Sequence, residues 1–233
     1  MEPSMKKRQL IERVSREAEE DPAQPRLTRA DWLEKALDVL IENGVDAVRI
    51  TRLADLLGVT RGSFYWHFAD RNDLLQAMLE VWEQSNTASI VQAATLPGTL
   101  EDRILALFMC WLDPELFDPQ LDFAVRDWAR GDAVLQALIA RSDQQRMDAL
   151  IAMFAAHGFP QRQAVIRARN FYYTQMGYYA LNVREPLADR LSYVATYFET
   201  YTDEKLGAQA EANFREKVIA RSELWNNDIP PVA

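Results

Sequence analysis

The densest gathering of groups able to present hydrogen bonds and positive charge in these 233 residues is Thr60-Arg61-Gly62-Ser63-Phe64-Tyr65-Trp66-His67-Phe68. At 100° per residue a helix through this run puts Phe64 and Phe68 on one face, Gly62 and Trp66 on the opposite one, and Ser63 and Tyr65 on the flanks. No nucleophile and base share that outer face, so its chemistry is recognition rather than bond making. Gly62 lets the backbone approach a neighbouring surface, Arg61 and Ser63 reach base edges or phosphates, and Tyr65 and His67 offer donors to phosphate oxygens. Arg71, just past the cap of the next helix, adds charge at a helix N-terminus that itself favours phosphate. With Thr51 and Thr60, which open the two short helices of this region, and Trp66, these form the candidate DNA-contacting set. The ligand expected for such a set is double-stranded DNA.

Elsewhere the sequence offers little reactive chemistry. Of the two histidines, His67 lies inside this run and His157 at an expected helix end, and neither has a nucleophile or metal-ligand partner at useful spacing. There is no phosphate-binding glycine loop, and the paired carboxylates Glu19-Glu20 fall in a tail where nothing would raise a pKa. The single cysteine, Cys110, sits among Leu105, Leu107, Phe108, Met109 and Trp111 and reads as a small buried hydrophobe rather than a redox-sensing thiol. The expectation is therefore not an enzyme: no catalytic residues, no metal site and no cofactor.

The elements that must position the recognition face follow from caps and apolar stripes. Thr28 caps a helix with Asp31 three residues on; its stripe is Leu33, Ala36, Leu37, Leu40 and Ile41, and Gly44 ends it. A short helix over Thr51 to Leu57, a turn at Gly58-Val59 and a second short helix over Thr60 to Phe68 make a helix-turn-helix within residues 49–68. Ala54 permits the close crossing, and Gly58 permits positive φ at the turn. Leu53, Leu57, Val59, Phe64 and Phe68 fill the wedge behind it. Asp70 then caps a longer helix, with Asp73 at its third position and an apolar stripe through Leu74, Leu75, Met78, Leu79 and Trp82; it is expected to bridge two domains. The main break is Pro97-Gly98, with the boundary between about residue 86 and that break.

Residues 1–25 read as an appended, flexible extension: Lys6, Lys7 and Arg8 are followed by acidic Glu17 to Asp21 and by Pro22 and Pro25. The basic cluster reads as a solvated tail ahead of a DNA-following arm. Beyond the break, helices are expected at 99–113, 120–130, 132–157, 160–183, 186–201 and 203–225, with no period-2 strand pattern and no repeat. The fold class is all-α, with a three-helix head at 26–86 and a larger helical domain at 87–233.

The segment Ile50-Thr51-Arg52-Leu53-Ala54, then Leu57-Gly58-Val59-Thr60-Arg61-Gly62-Ser63, then Phe64-Tyr65-Trp66-His67-Phe68 with Arg71-Asn72-Asp73-Leu74, resembles the TetR family of bacterial regulators over residues 26–86. The family usually has Lys where Arg71 stands and often Leu where Phe64 stands; both changes preserve charge or bulk. The resemblance implies a homodimer whose two heads occupy successive major grooves of a palindromic operator, usually as a repressor released by a small-molecule effector. Leu121 to Ala129 also resembles a segment of sensor domains in some members. The alternative reading is a helical adaptor of the same fold that binds a protein partner instead of DNA.

Net charge is −9, against the needs of phosphate binding, but Arg26 to Arg71 balances Arg26, Arg29, Lys35, Arg49, Arg52, Arg61 and Arg71 against Asp31, Glu34, Asp38, Glu42, Asp46, Asp55 and Asp70. The acidity belongs to the tail and the larger domain. In that domain Trp111, Phe123, Arg126, Trp128, Met147 and Tyr172 are the candidate effector-pocket residues, though each aromatic also suits ordinary core. Arg126 and Asp127 read first as a structural ion pair. Phe171 to Tyr179 is apolar nearly all round and needs covering on two sides. Tyr173, Gly177, Leu181 and Tyr197 are the candidate dimer contacts, with Gly177 allowing close helix approach. No run is long and apolar enough to span a membrane and no signal peptide is visible, so a cytoplasmic protein is expected.

Overall fold

The caps read from the sequence are made. In the computed structural model, which describes residues 5–15 and 27–222, Thr28 N–H donates to Asp31 Oδ2 at 2.7 Å and Asp31 N–H donates back to Thr28 Oγ1 at 3.3 Å. This capping box starts α2 (Arg29–Asn43), which ends at Gly44 with φ +77°. Ahead of it lies α1 (Met5–Ser15), so the stretch expected to be a flexible extension carries a helix. The reason is Ile11, which is fully buried in the same core as Trp32 and Leu33. The acidic run Glu17 to Asp21, Pro22, Pro25 and Arg26 lie outside the described residues.

α3 (Ile50–Leu57) stops at Gly58, whose φ of +69° is the left-handed turn its position requires. α4 is shorter than expected: the α-helix covers only Arg61–Phe64, and the chain then tightens through turns to Phe68. His67 N–H donates to Phe64 O at 2.9 Å, an i to i+3 bond. α5 (Arg71–Trp82) is capped by Asp70, which accepts from Asp73 N–H at 3.0 Å. It continues through a π-helical turn, Glu83–Thr87, into α6 (Ala88–Ala94). The remaining helices are α7 (Leu100–Leu112), α8 (Pro119–Trp128), α9 (Ala133–Ala156), α10 (Gln161–Ala180), α11 (Leu187–Ser192), α12 (Val194–Thr202) and α13 (Ala208–Ser222). No strand occurs among the described residues, and no helix there is long and apolar enough to cross a membrane. The expected helix 186–201 is two helices, interrupted at Tyr193.

Two compact units emerge: Met1–Asn86 with Asp118–Ala140, and Thr87–Phe117 with Arg141–Ala233. Residues 118–140 therefore join the head rather than the domain expected to hold all of 87–233. The cause is packing. Leu121, Val125, Ala129, Leu135 and Ile139 are buried in one apolar cluster with α2 and α5, and buried Asp122 accepts a hydrogen bond from Trp82 Nε1 at 2.8 Å. Asn86 reinforces this packing, its Nδ2 donating to Asp118 O at 2.8 Å and its Oδ1 accepting from Asp118 N–H at 3.1 Å.

The second unit has its own core, with Ile104, Leu107, Phe117, Leu150, Phe154, Ala164, Phe171 and Phe198 at its centre. α7 begins where expected: Thr99 and Asp102 form a capping box. Gly98, at φ +133°, leaves room for it, since a Cβ there would stand 2.6 Å from Asp102 Oδ2. Thr99 holds the Asp102 carboxyl below its ordinary range by hydrogen bonding. At the other end of α7, Arg221 of α13 donates through Nε to buried Asp113 at 2.7 Å. Burial still pushes the Asp113 carboxyl up despite that partner. Arg146, fully buried on α9, donates to Thr87 Oγ1 at 3.1 Å and to Tyr172 O–H at 3.0 Å.

Candidate functional site

The head divides its aromatic residues as the helical arithmetic requires. Phe64 and Phe68 are buried; Phe64 meets Trp32 edge-on at 5.2 Å and stacks on Phe68 at 5.4 Å. Tyr65 is 61% exposed and Trp66 84% exposed, far more than two large aromatics would leave to water without a surface to meet. Thr51, Thr60, Arg61 and Gly62 of the same motif are exposed too, with Ser63 and His67 half-buried. Gly62 has only Thr60 Oγ1 near the position of a Cβ, at 3.6 Å, so its face is open.

The arginines separate into two kinds. Arg61 is exposed and its side chain takes part in no hydrogen bond or ion pair among the described residues. Arg71, expected to offer charge to phosphate, instead clasps the loop after α2. Its Nε donates to Val48 O at 2.6 Å and its Nη2 to Val45 O at 2.7 Å, leaving the group half-buried. A planar guanidinium can serve both carbonyls at once, which an ammonium cannot do with the same geometry. Arg29 was not singled out by the sequence reading, yet it ties the motif together. It donates through Nη1 to Val14 O at 2.8 Å and through Nε to His67 O at 3.3 Å, lies 4.4 Å over the Phe68 ring, and approaches Asp73 at 3.8 Å. A signal was present: a cation in the first turn of a helix opposes the helix dipole, so Arg29 needed a compensating role. Arg52 reaches back to Asn43 Oδ1 at 2.5 Å and Arg49 to Asp46 O at 2.8 Å, both on exposed surface.

The six candidate pocket residues are not gathered in one place. Phe123, Arg126 and Trp128 lie on α8 in the head's unit, whereas Trp111, Met147 and Tyr172 belong to the second unit. Arg126 pairs with Asp122, its Nε donating at 2.8 Å, and exposed Asp127 pairs with Arg130 at 2.9 Å. The ion pair expected between neighbours thus follows the helical i, i+4 and i, i+3 spacings instead. Met147 is core, and Tyr172 donates to Asp143 Oδ1 at 2.8 Å beside Arg146.

The cavity of the second unit lies elsewhere, and of those six only Trp111 lines it. Phe108, Trp111 and Leu112 come from α7, and Phe171, Thr174, Gln175 and Tyr178 from α10. Glu185, Arg190, Tyr193, Val194, Tyr197 and Tyr201 close it from α11, α12 and the loop before them. Its empty volume, open mouth included, is about 540 Å³. The Tyr178 and Tyr197 hydroxyls are 3.1 Å apart. That hydrogen bond, with burial and Glu185 nearby, pushes the Tyr178 phenol well above its ordinary value. Gln175, Tyr178, Glu185, Arg190 and Tyr193 escaped the sequence reading because they converge only through the fold; the aromatic run 171–179 was the available signal.

Of the candidate dimer contacts, Tyr173 is 58% exposed and Leu181 78% exposed, and no atom comes within 4 Å of a Cβ built at Gly177. Tyr197 is turned inward, stacked on Tyr201 at 5.9 Å, so it belongs to the cavity wall.

Residues 33–78 match the family model described as bacterial regulatory proteins, tetR family. The chain is 37% identical over 71 residues to the HTH-type transcriptional regulator TtgR of Pseudomonas putida, covering 30% of each chain. It is 41% identical over 59 residues to the tetracycline repressor protein class A from transposon 1721 of Escherichia coli, covering 25% of this chain and 27% of that one. The alignments thus span less than a third of the length of these curated relatives. Beyond the head the likeness is one of fold. The structure of the ketosteroid transcriptional regulator KstR2 of Mycobacterium tuberculosis superposes with a TM-score of 0.55 at 16% identity, over 88% of this chain and 96% of that one. The buried Phe64 and Phe68, the left-handed turn at Gly58 and the exposed face at Arg61 to Trp66 all lie within the matched residues. Residues 33–78 are thus a helix-turn-helix head of the kind found in the TetR family of bacterial regulatory proteins.

Proposed function

We propose that the protein is a sequence-specific DNA-binding transcriptional repressor that acts as a homodimer on a palindromic operator and is released by a small molecule. The observation that carries this reading is the exposed face of Arg61, Gly62, Tyr65 and Trp66, backed by a buried wedge and held by the Arg29 and Arg71 braces. A short helix so presented enters a major groove with its first residues at the base edges. Thr51, Thr60, Ser63 and His67 border that face and serve phosphate and sugar contacts; Arg71 acts by holding the loop after α2. The proposed domain roles are DNA reading by the head and ligand sensing with dimerisation by the second unit.

Dimerisation is supported by one face of α10. Ile166, Tyr173, Gly177 and Leu181 recur at helical spacing; three are large apolar residues from 52% to 78% exposed, and the fourth is a glycine with open space beyond it. Ligand release is supported by the cavity and by the continuity of α5 through the π turn into α6, a helical irregularity of a kind frequent at functional sites. Paired recognition helices must stand about 34–36 Å apart to occupy successive grooves, so a small change in α5 lowers affinity.

Selection from random duplex DNA at fixed salt tests this reading, with an Arg61→Ala/Tyr65→Phe double variant run alongside. A palindrome enriched by the wild type and lost by the variant is the expected result. Absence of enrichment at low and moderate salt would overturn it in favour of an adaptor that binds protein through the same fold. Equal operator affinity with and without ligand would remove the release step alone.

A further inference from the structure

The cavity of the second unit carries two polar atoms that the fold leaves unanswered. Glu185 Oε2 and Gln175 Nε2 are both buried, both belong to residues lining the same cavity, and neither has a hydrogen-bond partner. A folded chain rarely leaves a carboxylate oxygen and an amide donor without protein partners in one place unless a ligand or water completes them. Around them stand the rings of Phe108, Trp111, Phe171, Tyr178, Tyr197 and Tyr201. Phe171 meets Tyr201 edge-on at 4.9 Å and Tyr197 stacks on Tyr201 at 5.9 Å, so the wall rings pack against one another, and the faces of such rings are negative.

The charges in the cavity are not balanced in function. Arg190, the cation among the lining residues, turns its Nη2 to Trp111 O at 3.4 Å and forms no ion pair with Glu185 within 4.0 Å. Tyr178 and Tyr201 are held as neutral phenols, the first by its hydroxyl partner Tyr197 and the second by burial. Glu185 also hydrogen-bonds the Tyr178 phenol, but its Oε2 is left without a protein partner, so an anion entering would meet that carboxylate and the negative ring faces together.

We propose that this cavity binds an aromatic cation, its ring packed between the wall aromatics, its ammonium N–H donated to Glu185 Oε2, and a ligand acceptor oxygen or nitrogen taking Gln175 Nε2–H. This names the effector class for the sensor role proposed above and rests on that reading only for its biological meaning.

The test is calorimetric titration of the full chain, without DNA, with three compounds that share a ring and differ in charge: 2-naphthylmethylammonium, 2-naphthylmethanol and 2-naphthoate. The ammonium compound is expected to bind at least tenfold tighter than the alcohol, with the carboxylate weakest. Glu185→Gln should lower affinity for the ammonium compound about tenfold and leave the alcohol unchanged, and thermal melting reports whether that variant is folded. Gln175→Glu supplies an independent check, raising affinity for the cation and lowering it for the anion. Equal affinity for all three compounds, tighter binding of the carboxylate, no binding of any, or indifference to Glu185→Gln would overturn the proposal. Adding operator DNA separates the two readings. Charge-selective binding without operator release leaves the ligand class standing and removes the release step.

Discussion

The two units treat their aromatic side chains in opposite ways. In the head, Trp32, Phe64 and Phe68 pack against one another and push Tyr65 and Trp66 out to solvent. In the second unit, the rings of α7, α10 and α12 close around a hollow and strand Glu185 Oε2 and Gln175 Nε2 inside it. Among the described residues of the head, Trp32 Nε1 is stranded too, but it sits in a packed core. A surface that reads a rigid, repetitive polymer wants its donors outside and its apolar groups hidden. A site that takes a small molecule wants apolar walls with a few polar atoms left waiting. On the proposed reading, the same residue types serve either end according to which way the helices turn them.

The sharpest break of that contrast is Phe64→Ala. It removes the ring on which the outward turn of Tyr65 and Trp66 depends and should cost about 3–5 kcal/mol in urea denaturation, with DNA affinity lost in parallel. Replacement of exposed Trp66 by Ala should instead leave stability within about 0.5 kcal/mol while weakening DNA binding. If both variants lost binding only in proportion to stability, the exposed face would not be the reading surface.

The two kinds of arginine can be told apart next. Arg71→Ala strips two carbonyls of charge-assisted hydrogen bonds and should lower stability by about 1.5–3 kcal/mol, with the salt dependence of DNA binding unchanged; Arg71→Lys should not restore it, for want of a fork. Arg61→Ala should leave the melt unchanged and cost about 1–3 kcal/mol of DNA affinity, relaxing preference at one position if it reads a base or flattening the salt dependence by about one ion if it reads phosphate. A flattened salt dependence in Arg71→Ala would return that residue to the phosphate contacts expected from the sequence.

Smaller effects belong to the second unit. Thr99→Ala removes the capping box of α7 and should cost about 1 kcal/mol. Part of that loss should disappear in acid. The Asp102 carboxyl is lowered in the folded chain, so its contribution is present above the ordinary value near 3.8 and fades as pH falls through the folded one. Asp113 has the opposite sign. Its folded carboxyl keeps its proton to higher pH than the unfolded one, so the folded state binds more protons and loses stability as pH rises above about 3.8. Relative to Asp113→Asn, the wild type should therefore lose ground between acid and neutral pH in denaturant midpoints. A gain instead would mean that the Arg221 pair outweighs burial.

Much of the head could be read in advance because its determinants are local. Thr28 with Asp31, Gly44, Gly58 and Asp70 with Asp73 each act within four residues, and the Phe64 and Phe68 spacing alone assigns the inner face. Arg29 and Arg71 were harder, since their partners Val14, His67, Val45 and Val48 lie 15 to 38 residues away. The allocation of α8 could not be read locally at all. Leu121-Asp122-Phe123-Ala124-Val125 is an amphipathic stripe that suits either unit, and the buried bond from Trp82 to Asp122 settled it across 40 residues.

Taken by itself, the sequence determined the helical class, the turn of the helix-turn-helix at Gly58 and the outward placing of Arg61, Gly62, Tyr65 and Trp66, because periodicity and caps are properties of neighbouring residues. The tertiary structure alone decided that α1 buries Ile11 in the head, that residues 118–140 leave the second unit for the first, and that Gln175 and Glu185 meet in one aromatic cavity. Each of those outcomes depends on which distant helix a face finds to bury against, and no local pattern specifies that partner.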